Sequence, residues 1–474
     1  MPLKRVGFIS LGCSKNLVDT EVMLGHLDRA GCEFVQDPAD ADVIVINTCA
    51  FIEPAREESI RTILEAAEFK KTGKLQRLVV AGCMVQRYRE ELQQNLPEID
   101  AFVGLDQLDQ IVATSGAAAP LPEAAPSPAR PASELPVLPR RSTPHPVSPA
   151  TVAAWSAATY LYDDTTPRRT ATPAWTAYVK IAEGCDHTCA FCAIPSFRGA
   201  FRSRDPESIL REVELLTRQG VREINLIAQD SSHYGRDAGR PNGLAGLLEL
   251  LDGVDDLRWI RVHYLYPNTI TDRLVETMAG LPKVVDYVDL PLQHADSEVL
   301  RRMRRGGSSD SHMRLLDKFR RAMPDGALRS TFIVGFPGES EAEFERLLQF
   351  VEQARFDHLG VFAYSHEEGT RAFGLPDDVP ETVKIERRER LMACQQRLVF
   401  KRNAAAVGRR VVVLVEGAHA DTEHLLVGRT GGQAPEVDGQ VLLNDGFARP
   451  GEFVEVELTD TAGYDLVGRI VGAA

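Results

Sequence analysis

Between residues 6 and 92, three unbroken apolar runs (6–10, 43–46 and 78–81) alternate with stretches of helical periodicity that reach Leu27, Phe69 and Leu92. An apolar run without alternation is buried on both faces, and such strands separated by helices predict a parallel sheet. A cysteine stands just past each run: Cys13 after Leu11-Gly12, Cys49 after Asn47-Thr48, and Cys83 after Gly82. Parallel strands bring their carboxyl ends to one edge, where open α/β sheets hold ligands. The three thiols are therefore expected to meet although they lie far apart in the chain. A three-thiolate cluster site is the economical reading; three buried cysteines at equivalent positions by chance is the alternative.

The pattern changes twice more. From 115 to 150, alanine, proline and serine dominate, a composition that builds no core and predicts a semi-extended linker. Strand candidates then recur at 177–182, 224–228, 259–265, 284–290, 331–335 and 358–364, separated by helical stretches. One helix, 206–218, has Asp205 as N-cap, Pro206 in its first turn and Gly220 past its end. Another follows Ser340, which forms a capping box with Glu343. Six β–α units suit a partial barrel with its active site at the strand carboxyl ends. The last region has short strands at 411–415, 425–428, 441–443 and 453–458 between glycine-rich turns, which predicts a small antiparallel barrel. The chain is therefore expected to be an α/β multidomain protein: 1–114, a linker over 115–159, 160–404, and 405–474.

The first barrel loop carries the most specific chemistry. Cys185, Cys189 and Cys192 stand at Cys-x3-Cys-x2-Cys spacing. Thiolates are the usual ligands of iron–sulfur clusters. Three of them complete only three of the four irons of a cubane, which leaves the fourth open to a chelating ligand. Zinc is the competing reading, but it normally takes four ligands, or three with histidine or carboxylate among them plus water. Cys32 and Cys394 share neither placement and read as small buried hydrophobes.

Composition narrows the setting. No apolar run approaches the length of a membrane span, and the N-terminus enters the first strand-like run without a visible leader. Eight cysteines in such a chain point to reduced thiols and a cytoplasmic location, with no membrane partner. The net charge of −14 disfavours polyanions as partners of the protein as a whole.

Taken together, Leu11-Gly12-Cys13-Ser14-Lys15-Asn16, Asn47-Thr48-Cys49-Ala50-Phe51, Ala81-Gly82-Cys83-Met84 and the 185–192 segment, with Phe191 before its third cysteine, resemble the methylthiotransferase family of radical S-adenosylmethionine (SAM) enzymes. The resemblance covers nearly the whole chain; the long linker is a departure. It implies a flavodoxin-like N-terminal domain, a radical SAM core and a C-terminal TRAM barrel. It also implies two 4Fe-4S clusters: an auxiliary one on Cys13, Cys49 and Cys83, and a catalytic one on Cys185, Cys189 and Cys192. In the superfamily SAM chelates the open iron and is cleaved reductively to a 5'-deoxyadenosyl radical, which requires a low-potential electron donor. A second SAM supplies the methyl group that caps the inserted sulfur. Gln229, in Ala228-Gln229-Asp230, falls where the superfamily commonly binds the SAM amino group, and the Gly335-Phe336-Pro337-Gly338 loop is a further SAM candidate.

The family has a branch acting on a tRNA adenosine and one acting on an aspartate of small-subunit ribosomal protein twelve. Tyr160-Leu161-Tyr162-Asp163-Asp164, Ile227-Ala228-Gln229-Asp230 and Ala434-Pro435-Glu436-Val437-Asp438-Gly439 resemble the second, whose product is 3-methylthioaspartate. Charge agrees. Residues 405–474 hold five arginines and no lysine against eleven acidic residues, a balance of −6 that suits a basic protein better than RNA phosphates. tRNA modification and a non-catalytic iron–sulfur carrier remain the competing readings. The cluster Arg301, Arg302, Arg304 and Arg305 reads as a solvated helix face.

Overall fold

The computed structural model describes residues 4–117 and 158–474, so most of the expected linker lies outside the described residues. The N-terminal sheet is wholly parallel. Its five strands run in the order Glu33–Phe34, Arg5–Ser10, Val43–Thr48, Arg77–Gly82 and Ala101–Val103. This is the flavodoxin-type doubly wound order. Every residue of the central strand Val43–Thr48 is buried, as an unbroken apolar run requires.

The middle region is a partial barrel of six parallel strands. Thr176–Lys180, Glu223–Ile227 and Trp259–Val262 form one sheet; Tyr287–Gln293, Ala327–Val334 and His358–Ala363 form another. A single bridge from Ile260 to Val284 joins them. One set of alternating residues (Ala177, Val179, Ile224, Leu226, Ile260, Val262) belongs to the largest apolar core. Tyr178, Lys180, Glu223, Asn225, Arg261 and His263 alternate with these and form the barrel's polar lining. Asp205 caps Pro206–Arg218 and the Ser340–Glu343 box starts Glu341–Ala354, both as predicted. The N-terminal helix Ser14–Arg29 packs against the barrel: Val18 and Val22 share a core with Tyr178 and Ile227, and Asp19 pairs with Lys180.

The C-terminal region, reached through the long helix Glu381–Ala406, is a closed five-stranded barrel. The expected antiparallel pairing holds at four seams. At the fifth, Val441–Asp445 pairs in parallel with Asp465–Ala473, a strand beyond those predicted from sequence. This barrel plugs the amino ends of the larger barrel's strands. Arg429 is buried against Glu223 at 2.6 Å, and Arg261 donates to the Gly431 carbonyl at 2.8 Å. Asp438 accepts from Tyr287 Oη at 2.8 Å and from Arg329 Nη1 at 3.0 Å. The 434–439 segment thus helps dock the small barrel through Asp438, while Glu436 and Val437 within it are exposed.

Candidate active site

Cys13 is the N-cap of Ser14–Arg29, Cys49 directly follows Val43–Thr48, and Cys83 opens Cys83–Asn95. Their three strands are neighbours in the sheet, so the thiols share its carboxyl edge. Gly12 and Gly82 have φ of +94° and +93°. A Cβ on Gly12 would lie 2.9 Å from Cys49 Cβ, and one on Gly82 would lie 2.1 Å from Asn47 Oδ1. Only glycine accepts both the backbone and the approach. Two buried asparagines staple the loops. Asn16 Nδ2 donates to the carbonyls of Leu11 (2.6 Å) and Thr48 (3.2 Å), and Asn47 Nδ2 donates to the Asn16 carbonyl at 2.7 Å. Burial, reinforced by the neighbouring thiols, pushes Cys49 up to about 11 and Cys83 up to about 12. Such thiols ionise when a metal takes the place of the proton.

The second triad lies past the carboxyl end of Thr176–Lys180. Gly184 has φ +82°, and a Cβ there would sit 2.0 Å from the Ala200 carbonyl oxygen. The loop is pinned by Cys185 N–H to the Gly199 carbonyl (3.0 Å), Ala190 N–H to the Met303 carbonyl (2.8 Å) and Ala372 N–H to the Ala190 carbonyl (2.8 Å). His187 Nε2 lies 2.6 Å from Asp230 Oδ2, and its ring stacks on Tyr266 with centroids 3.8 Å apart. Burial pushes Cys185 and Cys192 up to about 12. Arg305 Nη1 donates to Cys189 Sγ at 3.4 Å, and its guanidinium lies over the Tyr266 ring. Arg305 therefore leaves the solvated face on which the sequence reading placed it.

A buried polar network joins the triads. Arg198, six positions after Cys192, donates to Cys83 Sγ at 3.1 Å, Asp19 Oδ2 at 3.1 Å and Glu183 Oε2 at 3.0 Å. Lys180 reaches the same two carboxylates. Burial alone would raise the Glu183 carboxyl, but Arg198 and Lys180 outweigh it and hold it far below the usual range. Gln229 Nε2 donates to Glu183 Oε1 at 2.5 Å, while Gln229 Oε1 is buried without a partner. A second brace is the buried Glu367. It takes Arg56, Arg87 (3.3 Å) and the Glu53 N–H (2.8 Å) from the N-terminal domain, close to Cys49.

No three histidine, cysteine, aspartate or glutamate side chains converge as ligands of a single ion among the described residues. A cubane asks for something different: one thiolate per iron, each on its own corner. Two groups of free thiols, each with an arginine donating to one sulfur, fit that demand. The orphaned Gln229 oxygen fits a donor such as the SAM amino group. The Gly335 loop fits less well, because the Gly335 and Phe336 N–H groups are spent on Glu339 Oε2 at 2.5 and 3.0 Å. Lys384, whose Cγ would lie 2.3 Å from an added Cβ, accounts for the glycine. Cys394 is buried, and Cys32 is partly buried against the apolar core of the N-terminal domain. Arg198, Glu183 and Glu367 are what the sequence reading missed, and Arg305 is what it placed on a solvated face. Isolated charged residues carry no motif, and their burial depends on partners distant in the chain.

Residues 5–104 match the uncharacterized protein family UPF0004, 179–351 the radical SAM superfamily and 407–471 the TRAM domain. Ribosomal protein uS12 methylthiotransferase RimO of Koribacter versatilis is 47% identical over 99% of this chain and 96% of its own. The protein of that name from Anaeromyxobacter is 48% identical over 98% of this chain and 93% of its own, and that from Geobacter sulfurreducens 45% over 99% of each. With close to half of all positions shared from end to end, the chain belongs to the RimO family of ribosomal protein uS12 methylthiotransferases.

Proposed function

We propose that this protein methylthiolates the β carbon of an aspartate in ribosomal protein uS12, giving 3-methylthioaspartate, with two 4Fe-4S clusters and SAM as cofactors. The observation that carries the reading is the bridging of two thiol triads by Arg198, which ties the loop of one to a sulfur of the other. Replacing an unactivated C–H bond by C–S needs a radical source and a sulfur source side by side. When bound, the clusters and SAM supply that radical, the sulfur and the methyl group.

The chain's own residues hold these groups. Cys185, Cys189 and Cys192 would ligate the radical SAM cluster, and Cys13, Cys49 and Cys83 the auxiliary one. Gln229 Oε1 would accept from the SAM amino group while Glu183 keeps the amide oriented. Arg198 and Arg305 would each compensate negative charge at one cluster. A low-potential electron donor and a cytoplasmic setting belong to this reading; no described helix is long and apolar enough to cross a membrane. The acidic C-terminal barrel favours a basic protein over tRNA as substrate.

Anaerobically reconstituted protein, given SAM, a reductant and uS12, should add one methylthio group to one aspartate, read by peptide mass spectrometry. 5'-Deoxyadenosine and S-adenosylhomocysteine should both form. Unmodified uS12 together with 2-methylthio nucleosides in digested tRNA would overturn the assignment.

A further inference from the structure

We infer that Lys15 receives the carboxylate of the substrate aspartate and so makes the enzyme selective for aspartate over uncharged residues; the inference rests on the substrate reading above. Lys15 is 8% exposed. Every other buried lysine or arginine among the described residues has a carboxylate within ion-pair distance. Lys15 has none there. Its Nζ instead lies 3.1 Å from the centroid of the Tyr264 ring. An aromatic face compensates a buried ammonium only in part, and an anion is the partner such a group requires.

The location is where the substrate must come. Lys15 lies two positions after Cys13, in the first turn of Ser14–Arg29. Tyr264 stands just past Trp259–Val262, at the carboxyl ends of the barrel strands. Its φ of +61° is a left-handed conformation that costs a non-glycine residue free energy. Two contacts hold it there: Tyr264 N–H donates to Asp289 Oδ2 at 3.0 Å, and its carbonyl accepts the Ser231 N–H at 3.0 Å. Ser231 follows Gln229-Asp230, so the ammonium lies between the auxiliary loop and the expected SAM end of the barrel. In the proposed reaction the carbon that loses hydrogen is bonded directly to the substrate carboxylate. A cation holding that carboxylate would place the carbon at this seam. The auxiliary cluster is the competing anion, but its arginine is already in place: Arg198 donates to Cys83 Sγ, whereas no hydrogen bond joins Lys15 to a thiol of the triad.

The test uses the full-length reconstituted protein and anaerobic binding titrations with uS12 and with uS12 whose target aspartate is replaced by asparagine. Wild type should prefer the aspartate form by about tenfold or more, the scale of one buried charge-assisted contact. Lys15→Met should bind both forms equally and weakly, and Lys15→Arg should recover part of the preference. Iron content and the auxiliary cluster's reduction potential should not move in either variant. If Lys15→Met keeps the preference, or shifts the potential instead, Lys15 serves the cluster or the fold and the inference fails alone. Equal binding of both forms by a wild type that still modifies uS12 also sinks it. A wild type that neither binds nor modifies uS12 overturns the proposed function, and this inference with it.

Discussion

Cys13, Cys49 and Cys83 are drawn from three neighbouring strand ends, whereas Cys185, Cys189 and Cys192 come from one loop of eight residues. The first triad exists only once a parallel sheet has formed in register. The second is local, and its shape comes from pins to Gly199, Met303 and Ala372. Despite this, three of the six cysteines follow a glycine with positive φ: Gly12, Gly82 and Gly184. The shared device turns a strand sharply into its loop, and in each case the space for a Cβ is taken. Dispersed and local sites thus use one solution for aiming a thiol and different solutions for holding it.

The sharpest separation should come from removing the ligands. Changing Cys185, Cys189 and Cys192 to alanine should halve iron from about eight to about four per chain and abolish both SAM cleavage and product. Changing Cys13, Cys49 and Cys83 should give the same iron count and spare SAM cleavage, while sulfur insertion stops. A wild-type count near four, or product from the auxiliary triple variant, would end the two-site account.

The glycines should separate the sites next. Gly184→Ala, which meets the Ala200 carbonyl at 2.0 Å, should lose the radical SAM cluster, and Gly82→Ala the auxiliary one, each read by iron content. Each should also cost the apoprotein about 1–3 kcal/mol in denaturant melts. Loss of both clusters from either variant would mean that the sites fold as one.

The C-terminal plug offers a change that should affect neither site first. Burial would raise the Glu223 carboxyl, but Arg429 and Arg261 outweigh it and hold it at about 2, against an ordinary value of 4.5. Because the folded value is depressed, the stabilisation is full above 4.5 and is lost as pH falls towards 2; it amounts to about 3 kcal/mol. Trp259, edge-to-face with Phe453 at 4.8 Å, should report release of the barrel in the apoprotein by fluorescence. An unchanged signal down to pH 2 would show that the pairs contribute little. Truncation after residue 405 should carry a similar cost, because it takes Arg429 from Glu223, the Gly431 carbonyl from Arg261 and Asp438 from Arg329. Loss of uS12 binding in such a truncation is therefore not by itself evidence of a binding surface.

The smallest effects should be electronic. Hydrogen bonds to cluster sulfurs raise reduction potentials, so Arg198→Met should lower that of the auxiliary cluster, and Arg305→Met that of the other, on the order of tens of millivolts. EPR-monitored titrations in the complementary triple-cysteine backgrounds would measure each separately. A shift in the wrong cluster would break the pairing of arginine with site.

The parallel sheet, the six barrel strands and both triads are legible in the sequence, because unbroken apolar runs and cysteine placement are local patterns. Glu33–Phe34 and Ala101–Val103 are too short to register, at two and three residues. Asp465–Ala473 is obscured by Gly468, Arg469 and Gly472, which interrupt its alternation. The network around Arg198 is illegible for another reason. A buried arginine and an exposed one look alike until the fold supplies Asp19, Glu183 and Cys83 around it.

Two bodies joined at one point can pivot in any direction; joined at two separated points, they keep only rotation about the line between them. Arg198 grips the N-terminal domain at Cys83, and Glu367 grips it at Arg56, Arg87 and Glu53. The helix Ser14–Arg29, packed on the barrel through Val18 and Val22, opposes that remaining rotation. The spacing of the two triads is then set by the fold, and a polypeptide substrate should thread its aspartate between them rather than be closed upon.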